Sequence, residues 1–140
     1  MIKVMAFGSF DLFHRGHEEY LLQARSFGDC LVVVVSRDSS YERIKKEKPL
    51  HSEEQRLEVI AQKEYVDKAM LGDKKDFYKV IHDEKPDILC LGYDQRISED
   101  TIYEELERRG IKNIEIKRAK SHKAEVYKSS LLKKSVNAKK

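Results

Sequence analysis

Two histidines separated by one arginine and one glycine, His14-Arg15-Gly16-His17, close a polar run that begins at Gly8-Ser9-Phe10-Asp11. Imidazoles at this spacing, presented side by side at a helix start, can each donate a hydrogen bond to a phosphoryl group as negative charge grows on it. Unpaired backbone N–H groups at such a start attract phosphate oxygens, and Gly16 lets a ligand come close to the backbone. Phosphoryl transfer consists mainly of holding the attacking and leaving oxygens in line and stabilising the charge between them, so no covalent nucleophile is required. On the pair alone two other readings stay open. Isolated surface histidines are common, and imidazoles suit transition metals, although a third ligand of a zinc site is not evident nearby.

The elements that must position this run can be read from hydrophobic spacing. Ile2 to Phe7 is a short apolar run bounded by Gly8, which predicts a buried strand, and Tyr20, Leu21, Ala24 and Phe27 then follow helical spacing up to Gly28. Cys30 to Ser36 is a nearly unbroken β-branched run, the pattern of a strand covered on both faces in a parallel sheet. Ser40 to Pro49 is charged and predicts a mobile, lysine-bearing loop. Ser52-Glu53-Glu54-Gln55 forms a capping box for a helix through Leu57, Ile60 and Ala61. Further strands are expected at Val66 to Leu71, Ile88 to Leu91 and Ile111 to Lys117, the last alternating like an edge strand. Helices are expected at Asp76 to Glu84, Thr101 to Arg109 and around Leu131 to Val136.

Alternating strands and helices with short connections specify an α/β, Rossmann-like three-layer domain with a five-stranded parallel sheet. Its ligand site should lie at the strand C-termini, beside the topological switch point. Gly8 to His17, Gly92 to Arg96 and the loop around Lys45 all follow strand ends, so they are expected to converge on one cleft.

Composition narrows the field. A chain of 140 residues with 38% charged and 40% hydrophobic residues suits one globular domain spanning residues 1–140, with a basic tail at about 133–140. A net charge of +3 is too small to argue for a nucleic-acid partner. No apolar run approaches a membrane span and no signal-peptide layout is present, so a cytoplasmic location is expected. Cys30 and Cys90 flank or lie in apolar runs, where a thiol packs as a small hydrophobe.

The whole segment Gly-Ser-Phe-Asp-x-x-His-x-Gly-His after an N-terminal strand resembles the signature of the cytidylyltransferase-like nucleotidyltransferases. Glu64-Tyr65-Val66-Asp67-Lys68 and Leu91-Gly92-Tyr93-Asp94-Gln95 resemble later parts of the same family, so the likeness runs from about Lys3 to Ser130. By that resemblance Ser9 and Phe10 lie against the nucleotide, His14 and His17 bind and stabilise its phosphates, and Asp11 organises the loop or helps to position a metal. Arg15 and Gly16 belong to the same nucleotide-binding run, and Asp94 is implied as a contact to ribose or to a metal-bound water. Lys45, Lys46 and Lys48 occupy the place of the family's flexible lysine loop, with Lys45 or Lys46 favoured as the mobile charge.

The small glycerol-phosphate cytidylyltransferases end in a segment resembling Arg-Thr-x-Gly-x-Ser-Thr-Thr, which this chain lacks. Arg118 leads instead through Ala119, Lys120 and Ser121 to His122, and the paired hydroxyls Ser129 and Ser130 come later. That layout resembles the archaeal-type FAD synthases. The resemblance implies transfer of AMP from ATP to FMN, with a divalent cation, Mg²⁺ above others, held mainly by substrate phosphates, and a homodimer. Arg118 and His122 are then implied as phosphate or acceptor contacts, and Ser129 and Ser130 as nucleotide contacts. An aromatic wall for the flavin is expected, with Tyr93 and Tyr127 as candidates. The alternatives are cytidylyl transfer from CTP to glycerol 3-phosphate and a catalytically silent nucleotide-binding module.

Overall fold

The computed structural model describes residues 1–120. The expected last helix, and with it His122, Tyr127, Ser129 and Ser130, lies outside the described residues. Ten elements follow along the described chain, strands and helices alternating except for the consecutive α2 and α3: β1 (Lys3–Gly8), α1 (Arg15–Ser26), β2 (Cys30–Val35), α2 (Asp38–Lys45), α3 (Glu53–Ala61), β3 (Lys68–Leu71), α4 (Phe77–Glu84), β4 (Ile88–Leu91), α5 (Glu99–Arg108) and β5 (Glu115–Arg118). The five strands form one sheet in the order β3-β2-β1-β4-β5, every neighbour parallel. This is the α/β, Rossmann-like architecture that the sequence predicts.

Period-two alternation explains the layers. Val4 and Ala6 of β1 pack with Leu21 and Ala24 of α1 and Ile60 of α3, whereas Met5 and Phe7 pack with Val80 and Ile81 of α4 and Ile102 and Leu106 of α5. β2 divides in the same way, Leu31, Val33 and Val35 against Val32 and Val34. Strands buried on both faces read as continuous apolar runs. β5, with Glu115 exposed, is an edge strand.

Three local expectations shift. The charged run after β2 holds a helix, α2, where a loop is expected: acidic Asp38 stands in its first turn and Arg43 and Lys45 in its last, favourable for the helix dipole, yet no α2 residue is buried. Its large apolar residues, Tyr41 and Ile44, lie one turn apart within a run of charges that reads as a loop. α5 begins earlier than the apolar spacing suggests because Ser98 caps it, accepting from Thr101 N at 3.1 Å. β5 is shorter than its alternation suggests because Gly110 (φ 73) and Asn113 (φ 65) turn the chain before Glu115.

The switch point falls between β1 and β4. β1 pairs with β2 through Gly8↔Val35, but with β4 only through Ala6↔Cys90. Side chains take over where that ladder stops. Phe7 N donates to the Tyr20 hydroxyl at 3.0 Å, which donates in turn to Cys90 O at 2.6 Å. Gln95 Nε2 donates to Phe7 O at 2.8 Å while its Oε1 accepts from Gly92 N at 3.0 Å. Burial pushes the Tyr20 pKa well above its usual value, which keeps its hydroxyl protonated as a donor. The strands are thereby held apart, opening the crevice in which ligands of open α/β sheets bind.

Candidate active site

β1 delivers the chain to Ser9, and a tight loop turns it into α1. Phe10 and Leu12 both adopt left-handed backbone (φ 53 and 54), a costly conformation for such side chains. The turn folds the Phe10 ring back into the core, 3% exposed, against Gly8: a Cβ at Gly8 would lie 2.8 Å from the ring. Phe10 then supports His17 edge-on, centroids 5.4 Å apart. Phe10 is thus mainly a buried prop beneath the site.

The two imidazoles cap their own helix. Gly16 N donates to His14 Nδ1 at 3.0 Å, and His14 N donates to His17 Nδ1 at 3.1 Å, with the rings stacked 3.8 Å apart. Because each Nδ1 accepts from a backbone N–H, the proton of each neutral ring resides on Nε2. Burial, followed by the charge of His14, lowers the His17 pKa to about 3, against a weaker opposing pull from Asp11. His17 is therefore a neutral Nε2–H donor near pH 7.

Two adjoining cavities open at the C-terminal edge of the sheet. One, about 390 Å³, is walled by His14, Gly16, His17, Tyr93, Asp94 and Arg96. The other, about 520 Å³, is walled by α2 residues including Tyr41 and Ile44 and by an apolar floor of Val34, Phe77, Val80, Leu91 and Ile97. Phe7, Gly8, Ser9, Lys45 and Gln95 border both, so they form the seam.

The structure brings Ser9, Phe10, His14, Gly16, His17, Lys45 and Asp94 together around this cleft. Arg15 points to exposed surface, and Lys46, the left-handed cap of α2, is exposed; neither borders either cavity. The Asp11 carboxylate accepts from Leu50 N at 2.8 Å and His51 N at 3.0 Å, tying the segment before α3 to the histidine loop. Tyr93 stands on the histidine side of the cleft and not in the wide cavity.

Arg118 serves differently from the phosphate contact that the resemblance implies. Its Nε and Nη2 hold Glu99, and its Nη1 and Nη2 reach the carbonyls of Gly92, Gln95 and Ile97, all within 2.7–3.1 Å. Those five bonds match the five N–H donors of a guanidinium, so Arg118 knits the Gly92–Ile97 loop.

Sequence reasoning missed Arg56. Its side chain, 1% exposed, donates to Ser9 O and Ser36 O at 2.9 Å, to His51 O at 3.1 Å and to Asp38 Oδ1 at 2.7 Å. One guanidinium thus joins the segments that follow β1 and β2 and precede α3. The available signal was its spacing of four from Ile60, also fully buried, on the same helix face.

Known proteins resemble the chain over most of its length. The family described as cytidylyltransferase-like matches residues 5–135. A protein of Aciduliprofundum boonei named FAD synthase is 50% identical over 112 residues, 80% of this chain and 74% of that protein. Another of that name, from Archaeoglobus profundus, is 43% identical over 130 residues, 93% of this chain and 82% of its own length. Among solved structures, a protein of Thermoplasma volcanium described as a lipopolysaccharide core biosynthesis protein superposes with a TM-score of 0.82 at 41% identity, covering 87% of this chain and 98% of that one. A pantoate-beta-alanine ligase from Francisella tularensis, at 16% identity and a TM-score of 0.55 over 84% of this chain and 58% of its own, shares the fold.

Proposed function

Because the chain belongs to the cytidylyltransferase-like family, we propose that it is an FMN adenylyltransferase, an FAD synthase that transfers AMP from ATP to FMN and releases pyrophosphate. The observation that carries this reading is the junction of two unlike cavities along the Gly8-Ser9 seam. The smaller offers two imidazoles and a helix N-terminus to a triphosphate. The larger offers a broad apolar wall, which a flat tricyclic ring fills and a glycerol phosphate leaves wet.

An oxygen of the FMN 5′-phosphate attacks the α-phosphorus of ATP, and the bond from that phosphorus to the α,β-bridging oxygen breaks as pyrophosphate leaves. His14 and His17 donate from Nε2 to the phosphate oxygens, where donors held in place by backbone N–H groups strengthen as charge develops. Lys45 brings a point charge to the seam, and Asp94 faces the ribose. Mg²⁺, a hard cation that keeps water and phosphate oxygens about it, would spread the triphosphate charge, and the Asp94 carboxylate on the cavity wall is an oxygen donor that suits it. The reading extends to a cytoplasmic location and to a homodimer, the latter tested by sedimentation equilibrium.

The deciding experiment incubates the purified protein with Mg²⁺ and either ATP plus FMN or CTP plus glycerol 3-phosphate. FAD and pyrophosphate are expected in the first mixture. CDP-glycerol without a flavin product would move the protein to cytidylyl transfer, and product in neither mixture would leave a nucleotide-binding module.

A further inference from the structure

We infer that Phe77 is the specificity-determining residue for the acceptor ring, the platform on which the isoalloxazine of FMN stacks. The inference rests on the FMN reading above and assigns the selection of the flavin to one side chain. Phe77 is a large apolar residue left 37% exposed, and it borders the wide cavity. It belongs to neither core cluster: α4 is anchored to the sheet by Val80 and Ile81, with Tyr78 packed beside them.

Its position is fixed by bonds that do not involve its ring. Asp73 accepts from Lys75 N at 2.9 Å and Asp76 N at 2.8 Å. Asp76 caps α4 through Tyr78 N at 3.0 Å and is held by Arg109 at 2.8 Å. Phe77 is therefore presented at the first turn of α4 by a hydrogen-bonded loop that survives truncation of its ring.

The ring is also braced. It contacts Phe7, with centroids 4.8 Å apart at 40°, and stands edge to face on Tyr78 at 5.0 Å and 86°. Phe7 borders both cavities, so a ring stacked on Phe77 lies next to the seam that its own phosphate must reach. Aromatic side chains braced in this way prefer an offset-stacked flat partner. An apolar floor of Val34, Val80, Leu91 and Ile97 continues the surface, while Ser36, Ser40 and Gln95 on the same cavity can meet the hydroxyls of the ribityl chain.

The test compares FMN with ribitol 5-phosphate, which carries the same phosphorylated chain without the ring. In Phe77→Ala, KM for FMN is expected to rise roughly tenfold, the usual scale for losing one aromatic stacking partner. The inhibition constant of ribitol 5-phosphate against FMN and the KM for ATP are expected to move less than about threefold, and Phe77→Tyr to restore the KM for FMN. A collapsed site would weaken all three ligands together. Should Phe77→Ala fail to fold, Phe77→Leu keeps the apolar contact with Phe7 and removes the flat face, and the same comparison is read there. A wild-type enzyme that makes FAD, with a KM for FMN unmoved by either variant or weakened in parallel with ribitol 5-phosphate, overturns this inference and leaves the function standing. A wild type that makes no FAD overturns the function itself.

Discussion

The two halves of the cleft are built by different means. On the histidine side, backbone donors lock both imidazoles, Tyr20 and Gln95 bridge the parted strands, and Arg118 knits the facing loop. On the wide side the wall is α2, which buries no residue and is held at its first turn, where Arg37 donates to Gly72 O and Glu53 and Asp38 meets Arg56. Its far end carries exposed Ile44 and Lys45. The half that meets developing charge is pre-organised, as electrostatic stabilisation demands. The half that receives a large ring sets a lightly packed wall, α2, against the braced Phe77 and a buried apolar floor.

The largest break in that contrast should come from Arg56, because it anchors the wide half to the seam. Arg56→Ala leaves the partly exposed Asp38 and three loop carbonyls without their donor, and leaving a buried acceptor unsatisfied costs about 1–3 kcal/mol. Chemical denaturation should show that loss. Arg56→Lys should recover only part of it, since one ammonium cannot span all four acceptors. An Arg56→Ala protein as stable as wild type would show that the wide half does not hang on this residue.

His17→Ala should act mainly on chemistry: a fall in kcat of about a hundredfold, the scale for losing one pre-organised donor, against a loss of about 1 kcal/mol of stability from the missing cap bond to His14 N, with the far-ultraviolet circular dichroism unchanged. His14→Ala should behave alike, with a larger loss of nucleotide affinity. Near-normal turnover in His17→Ala would remove the imidazoles from the mechanism.

These residues differ in how far the sequence exposes them. The histidine half is written in contiguous signals, a strand ending at Gly8 followed by Ser9 to His17, and the Ser52–Gln55 capping box reads directly because each partner is close in sequence. Arg118 reads as a basic residue near a phosphate site, but its acceptors stand 19 to 26 positions away, and only the fold brings them together. Arg56 is harder still. In Glu53-Glu54-Gln55-Arg56 it looks like one more solvated charge, and its burial depends on the segments that follow β1 and β2 and precede α3 converging on it. α2 hides for a different reason: it buries no residue, and its two large apolar side chains, Tyr41 and Ile44, stand in a run of charges.

A smaller effect is expected at the loose end of α2. Replacing Lys45 and Lys46 together by Ala should raise the KM for ATP or FMN several-fold without changing the melting temperature, since exposed lysines add little to folding. Lys45 alone should account for most of it, because it borders both cavities and Lys46 borders neither. A double variant that unfolds would make α2 a structural wall and erase the contrast with the histidine side.

The smallest expected effect is a flat line, and it sharpens the comparison most. With its folded pKa lowered from 6.5 to about 3, His17 is neutral in both folded and unfolded chains above about pH 6.5, so there it contributes nothing to pH dependence. Between about 3 and 6.5 the unfolded chain binds a proton that the folded one refuses, so His17 makes stability rise with pH across that window and fall in acid. A neutral donor gives no loss of kcat/KM as pH rises through 6 to 8, whereas an imidazolium would lose its proton there and activity with it. NMR of the ring Cε1–H of His17, assigned by comparison with His17→Ala, should show no titration step between pH 5 and 8 in the ligand-free protein. A midpoint near 6.5 would mean that the ring is not held as a buried Nε2–H donor. The histidine half would then be held no more firmly than the α2 wall across the seam.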